Sequence, residues 1–265
     1  MYPFAYHRPA TLAEAVALLR ETEDGRPLAG GQTLIPVLKQ RLARHSDLID
    51  LTGIGELSGI REEDGKLVIG ATVRHADVGS SQLVRRSIPG LAELAARIGD
   101  PQLRNRGTLG GSIANNDPAA DYPGALLALD AVVRTDRRSL TAADFFTGMF
   151  ETALEPDEIV VSVGFARPTR SAYVKFPNPA SRYAMAGVFV AQFSDGVRLA
   201  VTGAGLSVFR IPEMEAALAR RFLPAALDGL TVPADDLNSD LHASAEYRAH
   251  LVGVMARRAV AAALA

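Results

Sequence analysis

Hydrophobic residues in the opening part of the chain follow two alternating spacings. Apolar residues recur every three or four positions over 12–19, which is typical of an amphipathic helix, and Thr11 and Glu14 form a capping box at its start. A short apolar run then leads into a double glycine. The elements predicted after the first helix are a strand at 27–29, a helix at 33–43 and a strand at 48–51.

From residue 55 onward the spacing indicates strands and shorter helices. The turn signal at 62–65 joins two apolar runs as a hairpin, and Pro89 opens a helix in its first turn, where proline is tolerated. A linker is predicted at 167–170, and the strands and then helices beyond it indicate an α+β protein. The predicted strands are 57–61, 66–73, 131–135, 159–165, 172–176, 187–193 and 197–204, and the predicted helices lie near 89–98, 125–129, 144–146, 212–222 and from 245 onward.

Composition excludes several classes of function. The 265 residues include 28 Lys and Arg against 30 Asp and Glu, a net charge of -2, and no cysteine. Without cysteine the chain has no disulfide, no thiolate zinc site and no cysteine-held iron–sulfur cluster of its own. The balanced charge does not indicate a surface that binds nucleic acid. No apolar run approaches the ~20 residues that span a membrane. The first residues lack the pattern of a signal peptide, so we expect a cytoplasmic protein.

Two glycine-pair segments carry the clearest chemical signal: 28–36, Leu-Ala-Gly-Gly-Gln-Thr-Leu-Ile-Pro, and 107–115, Gly-Thr-Leu-Gly-Gly-Ser-Ile-Ala-Asn. Such a turn can expose backbone N–H groups with no Cβ in the way, and a helix N-terminus adds partial positive charge, which suits a diphosphate. Either segment alone is also explained as a tight turn that needs positive φ. Two similar segments eighty residues apart favour a ligand, although neither matches G-x-G-x-x-G or the phosphate loop.

The polar run 116–123 follows the second segment. Its side chains suit a ribose or a ring edge; the alternative is an Asx-rich loop in which Asp121 only caps the next helix. The five histidines show no metal-ligand spacing, and we expect each to face solvent. No motif of a nucleophilic or metal-dependent hydrolase is present, and we predict no metal site on this chain.

The two segments in this order resemble the flavin-binding subunit of the molybdenum hydroxylases, a family that includes the medium subunit of aerobic carbon monoxide dehydrogenase and the flavin domain of xanthine dehydrogenase. The second matches Thr-x-Gly-Gly-x-x-Ala-x-x-x-Pro-x-x-Asp, and 99–102 and 246–248 also fit. The resemblance covers essentially the whole chain. It implies a two-part FAD-binding domain of the vanillyl-alcohol-oxidase-like (PCMH) type at 1–170, with subdomains at about 1–54 and 55–170, and a smaller C-terminal α+β domain of the CO dehydrogenase flavoprotein type at 171–265.

The resemblance also implies the residues that bind FAD non-covalently. Lys175 falls where the family has a lysine near the cofactor and Val160 where it has an apolar flavin neighbour, while Ile98 matches only by its distance from the second segment. Tyr183 falls where the family has a tyrosine near the flavin, but Arg182 precedes it in place of aspartate and reverses a charge. The implied cofactor-binding residues are Ala29, Gly30, Gly31, Gln32, Thr33, Leu34, Thr108, Leu109, Gly110, Gly111, Ser112, Asn115, Asp121, Val160 and Lys175.

The function that the resemblance implies is electron transfer within a complex. Substrate would be oxidised at a molybdenum–pterin centre on a large subunit, and electrons would pass through [2Fe–2S] clusters of a small subunit to FAD on this chain and then to an external acceptor. The expected assembly is a heterotrimer or its dimer. Two other interpretations stay open: a stand-alone FAD-dependent oxidase or reductase, and an assembly module that has lost its flavin.

Overall fold

The computed structural model describes residues 1–265. In the first part of the chain, the strands at 5–7 and 25–28 both pair in parallel with a central strand at 47–50. The predicted capping box is confirmed, because the Thr11 hydroxyl accepts the Glu14 N–H at 3.2 Å at the start of the first helix. Val16 and Leu19 pack that helix against the sheet. The elements are β1 (Ala5–His7), α1 (Leu12–Glu21), β2 (Gly25–Leu28), α2 (Leu34–Lys39) and β3 (Asp47–Asp50).

The central part holds a five-stranded antiparallel sheet with strand order β4-β5-β10-β6-β7 and a separate two-stranded hairpin, β8-β9. The predicted hairpin turn is confirmed, since Asp64 and Gly65 both adopt positive φ between β4 and β5. The elements are β4 (Ile60–Glu63), β5 (Lys66–Gly70), α3 (His75–Ser80), α4 (Gln82–Ser87), α5 (Pro89–Ala96), α6 (Pro101–Arg104), α7 (Leu109–Asn115), α8 (Tyr122–Ala128), β6 (Val132–Thr135), β7 (Ser139–Thr141), α9 (Ala142–Phe145), β8 (Phe146–Gly148), β9 (Glu151–Thr152) and β10 (Val160–Phe165).

The last part is a four-stranded antiparallel sheet, β11-β12-β13-β14, followed by two helices. Its second strand is buried on both faces: Val188 and Val190 lie in the core beneath the last helix, while Phe189 and Ala191 lie in the core of the central part. A continuous apolar run is typical of a strand that is buried on both faces. The elements are β11 (Arg170–Pro177), β12 (Ala184–Phe193), β13 (Gly196–Thr202), β14 (Phe209–Arg210), α10 (Pro212–Arg220) and α11 (Ala245–Leu264).

A buried arginine fixes the last helix to this sheet. Arg248 in α11 is 4% exposed, and its guanidinium donates hydrogen bonds to the carbonyl oxygens of Met185 and Gly203 and to the carboxylate of Asp240. A buried charge needs such partners, so these bonds set the position of α11 on β12 and β13.

The sequence pattern missed some elements and misplaced others. The helices α3 and α4 occupy 75–87, where no element was predicted, and the second glycine segment is largely the helix α7. The helix predicted at 33–43 ends at Lys39, because Arg41 adopts a left-handed conformation with φ 59°. Polar residues on short helices give too weak a periodicity to be recognised.

The buried carboxylate of Glu158 ties the β6–β7 hairpin to β10. It accepts a hydrogen bond from the Thr135 hydroxyl at 2.7 Å and two from the Arg138 guanidinium at 2.9 and 2.7 Å. Burial acts to raise the pKa of Glu158, but the hydrogen bonds from Arg138, from the Glu155 N–H and from Thr135 outweigh it and lower this pKa to about 2.

We expect the Glu158 carboxylate to add stability at neutral pH that is lost as the pH falls from about 4.5, its ordinary pKa, to about 2. A Glu158→Gln variant should lack this part of the pH dependence. Melting temperatures of both proteins against pH measure the difference, with the exposed Glu93→Gln as the control. Parallel curves for the wild type and Glu158→Gln would contradict the assignment.

Candidate functional site

The two glycine segments meet through their backbones. A Cβ on Gly30 would overlap the carbonyl oxygen of Arg106 and would lie 2.7 Å from the Cα of Gly107. No residue other than glycine fits position 30 without moving one segment away from the other. The structure therefore brings together two segments that lie eighty residues apart in the sequence.

The first segment presents free hydrogen-bond donors. None of the backbone N–H groups of residues 29–34 donates a hydrogen bond within the chain. Gly31 adopts a left-handed φ of 69°, and the residues Gln32 and Thr33 are exposed. Successive free N–H groups on an accessible loop form a concavity that binds anions, so this segment suits the oxygens of a diphosphate.

The second segment uses its N–H groups differently, and the expectation that it exposes them is wrong. It is the first turn of α7, where the Thr108 hydroxyl accepts the Gly111 N–H at 3.2 Å. The N–H of Leu109 bonds to the carbonyl of Val73 at 3.0 Å, and that of Gly110 to the carbonyl of Ala71 at 2.8 Å. A Cβ on Gly110 would lie 2.6 Å from the Cβ of Ala71, so close packing requires glycine there.

The accessible face of α7 carries the remaining predicted residues of the second segment. Gly111 is exposed and Ser112 and Asn115 are half-buried, and neither of the two polar side chains makes a hydrogen bond within the chain. A Cβ on Gly111 would meet only the Thr108 hydroxyl, at 2.9 Å. Since the core does not require glycine at 111, this face is the part of α7 that is available to a ligand.

His75 is a residue that sequence reasoning misplaced. It is 4% exposed rather than solvent-facing, and its ring lies against Gly107 on one side and Tyr122 on the other, with ring centroids 5.4 Å apart. Its Nδ1 has no hydrogen-bond partner. Burial, assisted by the charge of Arg104, lowers the pKa of His75 to about 4, so the ring is neutral at neutral pH. No sequence motif marks this position.

Asp121 and Lys175, 54 residues apart, form a buried ion pair. The side chains are 4% and 5% exposed, and the Nζ lies 3.0 Å from the carboxylate. Asp121 makes no capping hydrogen bond to α8, so the alternative in which it is only an N-cap is wrong. Burial raises the pKa of Asp121, while Lys175 and Tyr173 act in the opposite direction.

Sequence reasoning did not select Tyr173 as a site residue. Its fully buried hydroxyl donates to the Asp121 carboxylate from β11, the strand that also carries Lys175. Residues two apart on a strand point to the same face of the sheet. The spacing of Tyr173 and Lys175 in the sequence therefore indicates that both side chains can reach a group on that face.

Three other candidate residues, Val160, Ile98 and Tyr183, make no hydrogen bond to the Asp121–Lys175 pair. Val160 is buried in the core of the central part, and its neighbour Val161 accepts the N–H of Ala71, the residue against which Gly110 packs. Ile98 is half-buried. Tyr183 is 40% exposed, and burial, followed by the charges of the nearby carboxylates, raises its pKa.

Arg182 connects the loop at 178–183, which carries Tyr183, to the central part. Its guanidinium donates to the carbonyl of Gly99 at 3.2 Å, and Arg104 donates to the same carbonyl at 3.1 Å.

A cavity of about 310 Å³ lies beside this loop, lined by Asp117, Phe150 and Tyr183 among others, and none of the predicted cofactor-binding residues lines it. No cluster of side chains in the chain could hold a metal ion, and none of its helices is both long and apolar enough to cross a bilayer.

An α+β fold with a loop of free N–H groups and, elsewhere in the chain, a buried Lys–Asp pair is the kind of arrangement that suits a phosphate-bearing cofactor. Residues 2–167 match the family model described as the FAD binding domain in molybdopterin dehydrogenase. The chain belongs to this family and is an FAD-binding oxidoreductase subunit.

Known relatives cover nearly the whole chain. It is 38% identical to the carbon monoxide dehydrogenase medium chain of Afipia carboxidovorans, over 97% of this chain and 95% of that one, and 37% identical to the nicotine 6-hydroxylase medium subunit of Paenarthrobacter nicotinovorans, over 96% and 95%. A solved structure of carbon monoxide dehydrogenase from Hydrogenophaga pseudoflava superposes with a TM-score of 0.89 at 37% identity, covering 100% of this chain and 99% of that chain. The predicted α+β fold and the predicted family are confirmed.

A pair of glycine variants separates cofactor binding from folding. Gly111→Val should cost the fold no more than the Thr108 cap of α7, because position 111 is exposed and its Cβ would meet only that hydroxyl, but should reduce bound FAD at least about tenfold by placing a side chain on the ligand face. Gly110→Ala should instead lower the melting temperature, because its Cβ meets Ala71. Flavin content and circular dichroism of the purified protein measure the two effects.

The control for Gly111→Val is Ala216→Val, which places the same side chain on the exposed face of α10. Full flavin content in Gly111→Val would show that the outer face of α7 does not contact the cofactor.

Proposed function

We propose that this chain carries FAD as the electron-transfer subunit of a molybdenum hydroxylase complex. The observation that carries the proposal is the run of free N–H groups at 29–34, packed against the second glycine segment through Gly30. FAD contains a diphosphate, and these N–H groups have no other partner in the chain. The residues present therefore fit the cofactor.

Each part of the site has a separate task in this proposal. Residues 29–34 bind the diphosphate, and the outer face of α7 offers the hydroxyl of Ser112 and the amide of Asn115 to the ribose or a ring edge. Lys175 places a positive charge beside the cofactor, and Asp121 holds that charge in a fixed position. Val160 and Ile98 contribute apolar surface, and Tyr183 covers the edge of the site.

FAD, when bound, accepts electrons singly and releases them singly or in pairs to an external acceptor. The residues of this chain bind and orient it and set the electrostatics around it. No acid–base pair for substrate turnover is required here, so we assign no catalytic residue to the chain. The substrate of the complex is recognised by another subunit.

The partners follow from what the chain lacks. Without cysteine it does not supply the thiolate ligands of an iron–sulfur cluster. We therefore propose a small subunit with [2Fe–2S] clusters and a large subunit with the molybdenum–pterin, in a heterotrimer or its dimer, located in the cytoplasm. The medium chain and medium subunit names of the relatives support such an assembly. We assign FAD binding mainly to 1–170, and the C-terminal domain at 171–265 adds Lys175 to the site.

A stand-alone FAD-dependent oxidase or reductase is the main alternative, and an assembly module without flavin is the other. A stand-alone enzyme needs its own substrate site with an acid or base. Relatives that cover nearly the whole chain are named as medium chains or medium subunits, which disfavours a stand-alone enzyme. The free N–H groups at 29–34 disfavour the loss of the flavin.

Co-purification tests the proposal. An affinity tag on this chain, in cells that express it naturally, should isolate one larger and one smaller protein together with one FAD per tagged chain, iron and molybdenum. Cells with the untagged chain are the control. FAD with substrate turnover but without partners would support the stand-alone enzyme, and partners without FAD would support the assembly module.

A further inference from the structure

We propose that Tyr173 is a positioning residue: its buried hydroxyl keeps Asp121 in place as the partner of Lys175, so that the lysine charge stays fixed beside the cofactor. This inference rests on the proposed function, because it assumes that Lys175 faces the flavin.

Asp121 has few hydrogen-bond donors for a carboxylate that is 4% exposed. Lys175 donates to the Asp121 carboxylate at 3.0 Å, and the Tyr173 hydroxyl donates to the same carboxylate. No backbone N–H donates to it. A buried charge with a single partner is strongly destabilised. The tyrosine hydroxyl is therefore one of the two donors that stabilise the Asp121 carboxylate.

The fold makes room for this hydroxyl. Gly187 lies opposite Lys175 on the neighbouring strand β12, and a Cβ on Gly187 would overlap the Tyr173 hydroxyl. The Tyr173 ring stacks on Phe189 of the same strand, with ring centroids 6.3 Å apart. The ring is thus fixed by packing, and its hydroxyl has one place to lie, against Asp121.

The loop that carries Asp121 is also held from the other side. The N–H of Gly203 donates to the carbonyl of Pro118 at 2.8 Å, and the N–H of Ala184 donates to the carbonyl of Ala119 at 3.3 Å. Because β12 and β13 fix the loop backbone, the direction of the Asp121 side chain depends on Tyr173 and Lys175.

Other titratable groups surround the pair. The charge of Arg97 at the end of α5 acts on Tyr173, and Asp121 acts on the neighbouring Tyr122 and, together with Asp117, on Tyr183. Arg97 lowers the pKa of Tyr173, Asp117 raises that of Tyr183, and Tyr122 and Tyr183 are neutral at neutral pH. None of these groups donates a hydrogen bond to Asp121, so none replaces Tyr173.

Removal of the hydroxyl should make Asp121 easier to protonate. Tyr173→Phe takes away a donor to the carboxylate, so the pKa of Asp121 rises further and Lys175 loses its partner at a higher pH. A hydrogen bond to a charged group is worth about tenfold or more, so the pH at which half of the FAD dissociates should rise by about one unit.

Tyr122→Phe is a matched control within the same core. Tyr122 is also fully buried, but its hydroxyl has no hydrogen-bond partner, so its removal leaves Asp121 unchanged. The FAD retained by the tagged complex is measured after equilibration across a range of pH for the wild type, Tyr173→Phe, Tyr122→Phe and Asp121→Asn. We expect a shift only in Tyr173→Phe and no transition of this origin in Asp121→Asn.

The results that overturn the inference are distinct from those that overturn the proposed function. Equal profiles for Tyr173→Phe and the wild type, or an equal shift in Tyr122→Phe, would contradict the role of Tyr173. A wild-type complex without FAD would contradict the proposed function instead. If Tyr173→Phe does not assemble, Gly187→Ala displaces the same hydroxyl and should produce the same shift; an unchanged profile there overturns the inference.

Discussion

The close backbone contact between Gly30 and the Arg106–Gly107 peptide is the constraint on which the rest of the site depends. It joins a loop of the small parallel sheet to the start of α7 in the central part. Gly107 in turn packs on the ring of His75, which lies against Tyr122, the neighbour of Asp121. A continuous series of contacts therefore runs from the free N–H groups of 29–34 to the buried Asp121–Lys175 pair.

Backbone groups and side chains have different roles in this candidate site. The first segment offers backbone donors that need no particular side chain, so glycine and exposure are its requirements. The ion pair needs the opposite conditions: a dry environment and fixed geometry. The C-terminal sheet supplies these conditions, because β11 carries Tyr173 and Lys175 on one face and β12 buries them. The third part of the chain is thus part of the site.

The sequence predicted the α+β fold and drew attention to the two glycine segments, because strong periodicity and the glycine pairs are local signals. The capping box at Thr11, the hairpin at Asp64 and Gly65 and the strand that carries Lys175 are examples. What it did not predict depends on partners distant in the chain. Gly110 is a glycine because of Ala71, and His75 is buried because of Gly107 and Tyr122, and neither reason is visible along the sequence.

The most direct test of the central claim is an experimental structure of the FAD-loaded protein within its complex. The account predicts that oxygens of the FAD diphosphate lie within hydrogen-bond distance of the N–H groups of residues 29–34, with the outer face of α7 at Gly111 in contact with the cofactor. A diphosphate bound elsewhere, with those N–H groups facing only water, would contradict it.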